Sequence, residues 1–162
     1  MNFIVNPLKE IFCYICFSFQ GRICIFGKER NKESMNICRV HHVAIICSNY
    51  DVSKDFYTRI LGFKAINEVY REERDSYKLD LCVGEEYQIE LFSFPSPPKR
   101  PSFPEAAGLR HLAFAVTNIE EAVKHLNQCG VETESIRMDE ITGKKFVFFQ
   151  DPDGLPLELY EV

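Results

Sequence analysis

The chain of 162 residues is long enough for one domain, or for one domain with an appendage. It carries 19 Lys and Arg residues against 24 Asp and Glu residues, a formal net charge of −5. This acidic balance argues against a nucleic-acid partner, because binding phosphates requires a basic face. No apolar run approaches the roughly 20 residues that span a bilayer, so we also expect no membrane partner.

The N-terminal segment differs in composition from the rest of the chain. Residues 1–40 carry six basic and three acidic residues, whereas residues 41–162 carry 13 basic and 21 acidic residues. An early apolar run has the length of a signal-peptide core, but it lacks a basic flank and a small-residue cleavage site. Cys13-x-x-Cys16 has no second ligand pair for a zinc site. We therefore expect residues 1–36 to form an extension outside the fold, with an incidental cysteine pair.

Three further cysteines stand singly in the remaining chain. Cys47, Cys82 and Cys129 lie within apolar patterns, which is typical of small buried side chains. Unpaired cysteines are characteristic of proteins in a reducing compartment. We therefore predict a cytoplasmic protein.

Residues 41–162 contain two copies of one pattern. The runs 42–49 and 111–118 both open with His, carry Ala two residues later and end in Ser or Thr followed by Asn. Each run continues into a helical pattern that ends near a Gly. Strand-like stretches then follow at 64–71, 77–83 and 86–94 in the first copy, and at 132–138, 145–150 and 156–161 in the second. Each copy therefore predicts a β-α-β-β-β module.

The two modules belong to one predicted domain, residues 37–162. Module 1 covers about residues 39–94, and module 2 covers about residues 109–162. Between them, the stretch 95–108 is rich in proline, which is typical of a stiff and extended linker.

One His and one Glu occupy matching places in each module. Side chains alternate along a strand, so His42 shares a face with small apolar residues, and Glu90 shares one with phenylalanines. His42 and Glu90 are 48 residues apart, and His111 and Glu158 are 47 residues apart. Taken singly, each residue is most simply a solvated or satisfied side chain. Repeated modules tend to pack with pseudo-symmetry, however, so the four side chains could converge on one point.

A divalent metal explains these four residues together. A carboxylate on an apolar face is costly to bury unless a positive charge compensates it. Two imidazoles and two carboxylates suit Zn, Ni, Co, Fe or Mn. We therefore predict a metal site formed by His42, Glu90, His111 and Glu158.

Several motifs together resemble the vicinal oxygen chelate superfamily, the glyoxalase, bleomycin-resistance and extradiol-dioxygenase group. The motifs are His42, Phe56-Tyr57-(x)3-Leu61-Gly62-Phe63, Ile89-Glu90-Leu91, Arg110-His111-Leu112-Ala113-Phe114 and Asp151-Pro152-Asp153-Gly154-(x)3-Glu158. The resemblance covers residues 40–162 and is strongest to short bacterial proteins of the lactoylglutathione-lyase type. It implies an α+β fold in which two tandem βαβββ modules form a curved, partly open mixed sheet around a metal site. It also implies a homodimer.

The resemblance implies the roles of individual residues. The glyoxalase I ligand pattern matches His42, Glu90, His111 and Glu158, and members with His first tend to use nickel or cobalt. Their metal chelates two adjacent oxygens of a small-molecule substrate and stabilises an enediolate, while a carboxylate moves a proton between neighbouring carbons. Glu158 or Glu90 would take this catalytic role. His41 falls on the opposite strand face, where we expect a structural role.

Two positions depart from the glyoxalase I pattern. The family usually has Arg four residues after the first ligand and Asn four residues after the second, and both bind a carboxylate of glutathione. Ile46 and Phe94 occupy these positions here, so ordinary glutathione binding is not expected. Other basic residues could take over, although clustered charges are usually solvated surface. These candidates are Arg71, Arg74, Lys78, Arg110, Lys144 and Lys145.

Three classes of function fit the sequence. The first is a glyoxalase I-like lyase or isomerase acting on a hemithioacetal or a related α-oxo compound. The second is another metalloenzyme of the superfamily, namely an epimerase, a thiol transferase or a dioxygenase. The third is a non-catalytic protein that binds a drug or another small molecule, although such proteins usually lack the metal ligands. The intact set of four ligands favours the first class.

Overall fold

The computed structural model describes residues 35–162 and, before them, the backbone of residues 15–17 and 23–25. The chain divides into two compact units, Met1–Arg39 and Val40–Val162. In the first unit, strands β1 (Ile15–Phe17) and β2 (Ile23–Ile25) pair antiparallel. The predictions of an N-terminal extension and of an incidental Cys13-x-x-Cys16 pair fall largely outside the described residues.

The second unit contains two modules with the same order of elements. Module 1 consists of β3 (Val43–Cys47), α1 (Tyr50–Asp55), a π-helical turn (Phe56–Ile60), β4 (Lys64–Arg71), a 3-10 turn (Glu72–Arg74), β5 (Ser76–Val83) and β6 (Glu86–Ser93). Module 2 consists of β7 (Leu112–Val116), α2 (Ile119–Gln128), β8 (Arg137–Met138), β9 (Lys145–Gln150) and β10 (Pro156–Glu161). Among the residues described, no helix combines the length and the apolar character that crossing a membrane requires.

Each module forms a four-stranded open sheet with the same topology. The strand order is β3-β6-β5-β4 in module 1 and β7-β10-β9-β8 in module 2. In both sheets the first strand runs parallel to the last, and the other neighbours are antiparallel. The helix after the first strand provides the crossover that a parallel pair needs. The predicted α+β fold of two tandem βαβββ modules is confirmed.

Matching polar caps begin the two helices. The side chain of Asn49 accepts a hydrogen bond from the backbone N–H of Val52 at 3.3 Å. In module 2, the side chain of Asn118 accepts one from the N–H of Glu121 at 3.0 Å. Each cap satisfies a backbone donor that the first helical turn leaves without a partner. The sequence pattern of Ser or Thr followed by Asn therefore marks where the chain turns from strand to helix.

The edge strand of module 2 is shorter than predicted. The sequence pattern predicted a strand over residues 132–138, but only Arg137–Met138 forms β8. An isolated bridge joins Thr133 to Phe149, and the N–H of Glu134 donates to the carbonyl of Phe148. Acidic residues are depleted in strands, and an edge segment has only one neighbour to pair with, so the ladder here is interrupted.

The hydrophobic core lies on one face of each sheet. On β3, Ile45 and Cys47 are buried, whereas Ala44 and Ile46 are exposed. The buried residues pack with Tyr57 and others from the helical segments. The opposite face of the sheet is therefore open, and His42 belongs to this open face by alternation.

Candidate metal centre

Strand register brings each predicted His close to a predicted Glu. Glu90 on β6 lies opposite Ala44 on β3, and Glu158 on β10 lies opposite Ala113 on β7. Each His precedes its Ala by two residues and therefore points to the same face of the sheet. The register is the same in both modules, so the matched offsets in the sequence reflect a matched position in space.

The distances within both pairs suit two ligands of one metal ion. His42 Nε2 lies 3.5 Å from Glu90 Oε2, and His111 Nε2 lies 3.0 Å from Glu158 Oε2. Two ligands that each lie about 2.1 Å from a metal are roughly 3.0–3.4 Å apart, for angles from octahedral to tetrahedral. The carboxylate side chains are 12% exposed, and those of His42 and His111 are 37% and 30% exposed. Each pair thus offers one nitrogen and one oxygen donor to an open face.

The two pairs do not form one cluster within the described part of a single chain. Among residues 35–162, no group of three or more His, Cys, Asp or Glu side chains is placed to hold one metal ion. The structure therefore brings His42 to Glu90 and His111 to Glu158, but it does not bring these two pairs together. A common site for all four residues stays a prediction.

Glu90 lies within a network of polar side chains on module 1. Lys78 Nζ lies 2.8 Å from Glu90 Oε1 and 2.5 Å from Asp80 Oδ1. The hydroxyl of Tyr87 lies within hydrogen-bond distance of Glu90 Oε1 and of Asp80 Oδ1, which share its single proton. Asn67 Nδ2 donates to Asp80 Oδ2 at 3.1 Å. These donors leave Glu90 Oε2 facing His42. The network therefore fixes the orientation of the Glu90 carboxylate.

The network also favours the charged forms of the Glu90 and Asp80 carboxylates. Burial raises the pKa of Glu90, but hydrogen bonds from Lys78 and Tyr87 outweigh this and hold the pKa below its usual range. Asp80 behaves in the same way, with Lys78 and Asn67 as the main donors that lower its pKa. Burial and the bond to Glu90 raise the pKa of Tyr87 to about 12, so its phenol stays protonated as a donor.

The corresponding pair in module 2 has apolar surroundings. Phe148 lies opposite Glu158 in the sheet, at the position that Asp80 occupies opposite Glu90 in module 1. The ring of Phe148 packs edge-on against His111, with centroids 5.1 Å apart. His111 Nδ1 is buried without a hydrogen-bond partner among the described residues, and within them the side chain of Glu158 has only His111 as a polar partner. The two His–Glu pairs, called half-sites below, therefore share a geometry but differ in their chemistry.

A cavity of about 770 Å³ opens beside His111 and Phe148. Side chains of the Pro-rich segment line it together with module 2, among them Arg100, Phe103 and Arg110. Ser102 Oγ donates to the carbonyl oxygen of Gly154 at 2.8 Å and holds this segment against the module. The volume and the mixed polar and apolar lining of this cavity suit a small organic molecule. The sequence pattern predicted a linker here and gave no sign that it lines a cavity.

The remaining histidines lie at the edge of the site or away from it. His41 is exposed, and its Nδ1 lies 2.8 Å from Nδ1 of His42. His125 is exposed, and its Nε2 hydrogen-bonds the carbonyl oxygen of Ile60 on the helical side. Neither belongs to a His–Glu pair.

The cysteines in the described part of the chain are free thiols. Cys47 is buried, as predicted, and burial raises the pKa of its thiol to about 11. Cys82 and Cys129 are half-buried. Because thiolates are the reactive form, Cys47 is an inert packing residue.

Known proteins with the same pattern place the chain in a family. The model of the glyoxalase/bleomycin resistance protein/dioxygenase superfamily matches residues 39–159. The uncharacterized protein YwkD of Bacillus subtilis (strain 168) is 63% identical over 122 residues, which are 75% of this chain and 95% of that protein. A crystal structure of a glyoxalase family protein from Enterococcus faecalis has 53% identity and a TM-score of 0.71, covering 78% of this chain and 100% of that chain.

A more distant structure shows the same fold with ligands. The fosfomycin resistance protein FosX of Listeria monocytogenes, a mutant complexed with Mn(II) and 1S,2S-dihydroxypropylphosphonic acid, is 18% identical with a TM-score of 0.61. The match covers 78% of this chain and 94% of the FosX chain. The strand topology, the repeated modules and the family match agree: this chain belongs to the glyoxalase/bleomycin resistance protein/dioxygenase superfamily.

Proposed function

We propose that this protein is a metal-dependent lyase or isomerase of the glyoxalase I type. It would move a proton between adjacent carbons of a hemithioacetal or a related α-oxo substrate. The observation that carries this proposal is the pair of His–Glu half-sites at matched strand register, each with a nitrogen and an oxygen spaced for one metal ion. A non-catalytic binding protein would have no need of such spacing.

The donor set suits a divalent transition metal. Imidazole nitrogen and carboxylate oxygen bind Ni, Co, Zn, Mn and Fe, and His at the first position favours nickel or cobalt by resemblance to glyoxalase I. The Mn(II) complex of FosX supports a divalent metal on this fold. When bound, the metal would act as a Lewis acid that polarises two adjacent oxygens of the substrate.

We further propose that two copies of the chain complete each site. Each chain has two half-sites on open sheet faces, and no larger ligand group forms within its described residues. A two-fold dimer would join His42 and Glu90 of one subunit to the His111–Glu158 pair of the partner subunit, and it would do so twice. The exposed small and apolar residues Ala44 and Ile46 beside His42 leave room for this approach.

The surroundings of the two carboxylates favour Glu158 as the group that moves the proton. Glu90 Oε1 already accepts hydrogen bonds from Lys78 and Tyr87, which lower its basicity and restrict its movement. Glu158 has only His111 as an ion-pair or hydrogen-bond partner within the described residues, and the apolar Phe148 lies opposite it in the sheet. A general base must be free to reach the substrate carbon, so Glu158 fits this role better.

The proposed reaction is an isomerisation without a change in electron count. Glu158 takes the proton from the carbon that carries the hydroxyl and the sulfur, and it returns a proton to the neighbouring carbonyl carbon. The hydroxyl proton passes to the neighbouring oxygen. A hemithioacetal of a 2-oxoaldehyde thereby becomes a 2-hydroxy thioester. The free thiols of the described residues support a reducing, cytoplasmic setting for this chemistry.

One experiment tests metal binding and turnover together. The protein is loaded in turn with Ni, Co, Zn, Mn and Fe, its metal content is measured, and hemithioacetals of methylglyoxal with several thiols are assayed. We expect about one metal per His–Glu–His–Glu set, and loss of turnover in Glu158→Gln with the fold preserved. Glu120→Gln, an exposed carboxylate paired with Lys145, serves as the matched control and should keep full activity.

The possible outcomes separate the classes of function. Metal uptake without turnover of any hemithioacetal would indicate another metalloenzyme of the superfamily. Absence of metal after reconstitution would contradict the catalytic proposal and favour a binding protein. Full activity of Glu158→Gln would remove Glu158 from the proton-transfer step.

A further inference from the structure

Arg71 carries a guanidinium group that is held in place without a carboxylate partner among the described residues. Its Nε and Nη2 atoms both donate to Ser76 Oγ, at 3.0 and 2.5 Å. Its Cζ lies 4.7 Å above the ring of Phe92 and 5.4 Å above the ring of Phe94. Two aromatic faces and a buried hydroxyl therefore fix the side chain before any ligand arrives.

Four other arginines of the described residues are already neutralised or bonded to backbone. Arg59, Arg110 and Arg137 form ion pairs with Asp55, Glu105 and Glu134, and Arg100 donates to the carbonyl oxygen of Leu109. Arg137 makes the best comparison, because it also lies over two phenylalanine rings but uses Nη2 to bind Glu134. No carboxylate of the described residues lies within ion-pair distance of Arg71.

Arg71 lies on the same sheet face as the candidate metal ligand Glu90. Side chains alternate along β6, so Glu90 and Phe92 share one face. Phe94, just past the end of β6, stacks on Phe92 with ring centroids 6.2 Å apart, and Arg71 lies over the two rings. Lys78 lies between Glu90 and the phenylalanine rings, since it contacts Glu90 and its Nζ lies 5.9 Å from the centroid of the Phe92 ring. A strand rises about 3.3 Å per residue, so the rings lie roughly 7 and 13 Å along the strand from Glu90.

We propose that Arg71 binds an anionic group, a carboxylate or a phosphonate, at the end of the substrate remote from the chelated oxygens. This inference rests on the proposed function, because it takes the His–Glu ligands as the place where the two oxygens bind. A planar guanidinium presents paired N–H donors that match the oxygens of either anion. The spacing selects an extended substrate, on the order of 10 Å between its chelating oxygens and its anionic end.

Three probes of one chain length test this assignment on the metal-loaded protein. Hydroxamates bind metals through two adjacent oxygens, and the three differ only in ending with a methyl, a carboxylate or a phosphonate group. Isothermal titration calorimetry measures their affinities. We expect the wild-type protein to bind at least one anionic probe on the order of tenfold more tightly than the methyl-ended probe.

Variants separate Arg71 from the general charge of the surface. Arg71→Gln should lose the preference for the anionic probes and keep the affinity for the methyl-ended probe. Arg71→Lys should retain part of the preference, because it keeps the charge but not the planar pair of donors. Arg74→Gln, which removes a charge three residues away on the hairpin, should retain all of it. Circular dichroism establishes that each variant is folded.

The outcomes distinguish this inference from the proposed function. If all three hydroxamates bind equally well to the wild-type protein, the metal site stands and the role of Arg71 is wrong. A preference that persists in Arg71→Gln would also overturn that role. If no hydroxamate binds to the metal-loaded protein, the metal does not bind two adjacent oxygens, so the proposed function fails and the inference fails with it. The ratio between carboxylate and phosphonate affinities identifies which anion the site prefers.

Discussion

The Nζ atom of Lys78 lies 2.8 Å from Oε1 of Glu90 and gives this carboxylate an ammonium partner within its own sheet. Glu158, at the equivalent place in module 2, has no cation of this kind among the described residues, and Phe148 lies beside it instead. Two half-sites with the same backbone register therefore present different electrostatics. This difference supports our proposal that Glu90 is a fixed ligand and that Glu158 is the mobile base.

Removing Lys78 should destabilise the metal-free protein. Lys78→Met leaves Asp80 and Glu90, two largely buried carboxylates, close together without the cation that both contact. We expect a loss of about 1–3 kcal/mol in the free energy of unfolding, measured by urea denaturation. Divalent metal should reduce this loss, because a metal ion at Glu90 would replace the missing positive charge.

Lys54→Met is the matched control for Lys78→Met. Lys54 pairs with Glu68 at 2.6 Å, but this pair is more than a third exposed on the helical side of module 1. Exposed ion pairs contribute little, so the control should show a much smaller loss that metal does not change. Equal losses in the two variants, or no response to metal in Lys78→Met, would contradict the proposed role of Lys78 beside the metal site.

A buried hydrogen bond between Tyr57 and Asp151 should stabilise the contact between the modules. Tyr57 follows α1 in module 1, and its hydroxyl donates to Oδ2 of Asp151 in module 2 at 2.8 Å. Tyr57→Phe leaves the buried carboxylate with one donor fewer, so we expect a loss of about 1–3 kcal/mol by urea denaturation. Tyr70→Phe removes an exposed bond to Asp75 and should leave stability unchanged. Similar effects in both variants would argue against a special role for the buried bond.

Asp151 should make stability decrease as pH rises through the acid range. Burial raises the pKa of Asp151 above its ordinary 3.8, although the N–H of Leu155 and the hydroxyl of Tyr57 donate to it. The folded state therefore holds this proton more tightly than the unfolded state. The resulting stabilisation is complete below about pH 3.8 and is lost as pH rises through the folded-state pKa.

The variant Asp151→Asn isolates this effect from other titrating groups. Asn retains an oxygen that can accept the bonds from Asp153 and Leu155, but it cannot titrate. We expect the stability difference between wild type and variant, from urea unfolding, to shift against the wild type as pH rises above about 3.8. A difference that does not change with pH would show that the pKa of Asp151 is not raised.

The sequence predicted the backbone features of the site well, because they repeat. The offsets from His42 to Glu90 and from His111 to Glu158 indicate a shared sheet face, and the register in both modules explains those offsets. The Asn that ends each of the two matching runs caps a helix, and such capping depends on residues close in sequence. Local patterns and internal repetition thus identified the modules and the His–Glu pairs.

The environment of each pair was not predictable in the same way. Lys78 and Arg71 belong to charged patterns that usually mark solvated surface, yet one contacts Glu90 and the other lies over phenylalanine rings. Their positions depend on how β4 and β5 align with β6, and both pairings contain register shifts. A shift of one residue exchanges the faces of a strand, and no local pattern in the sequence reports it.

Mixing two inactive variants would establish whether a site is shared between subunits. Glu90→Gln damages every module 1 half-site, and Glu158→Gln damages every module 2 half-site, so each homodimer should be inactive and bind metal poorly. If each site joins module 1 of one subunit to module 2 of the other, a mixed dimer contains one doubly damaged site and one intact site. After subunit exchange between equal amounts, mixed dimers form about half of the population, so about a quarter of wild-type activity and metal content should return.

If each site lies within one chain, every site in the mixture still carries one substitution, and neither activity nor metal binding returns. As the control, each homodimer is cross-linked before mixing, which prevents exchange of subunits. No activity or metal binding should then return.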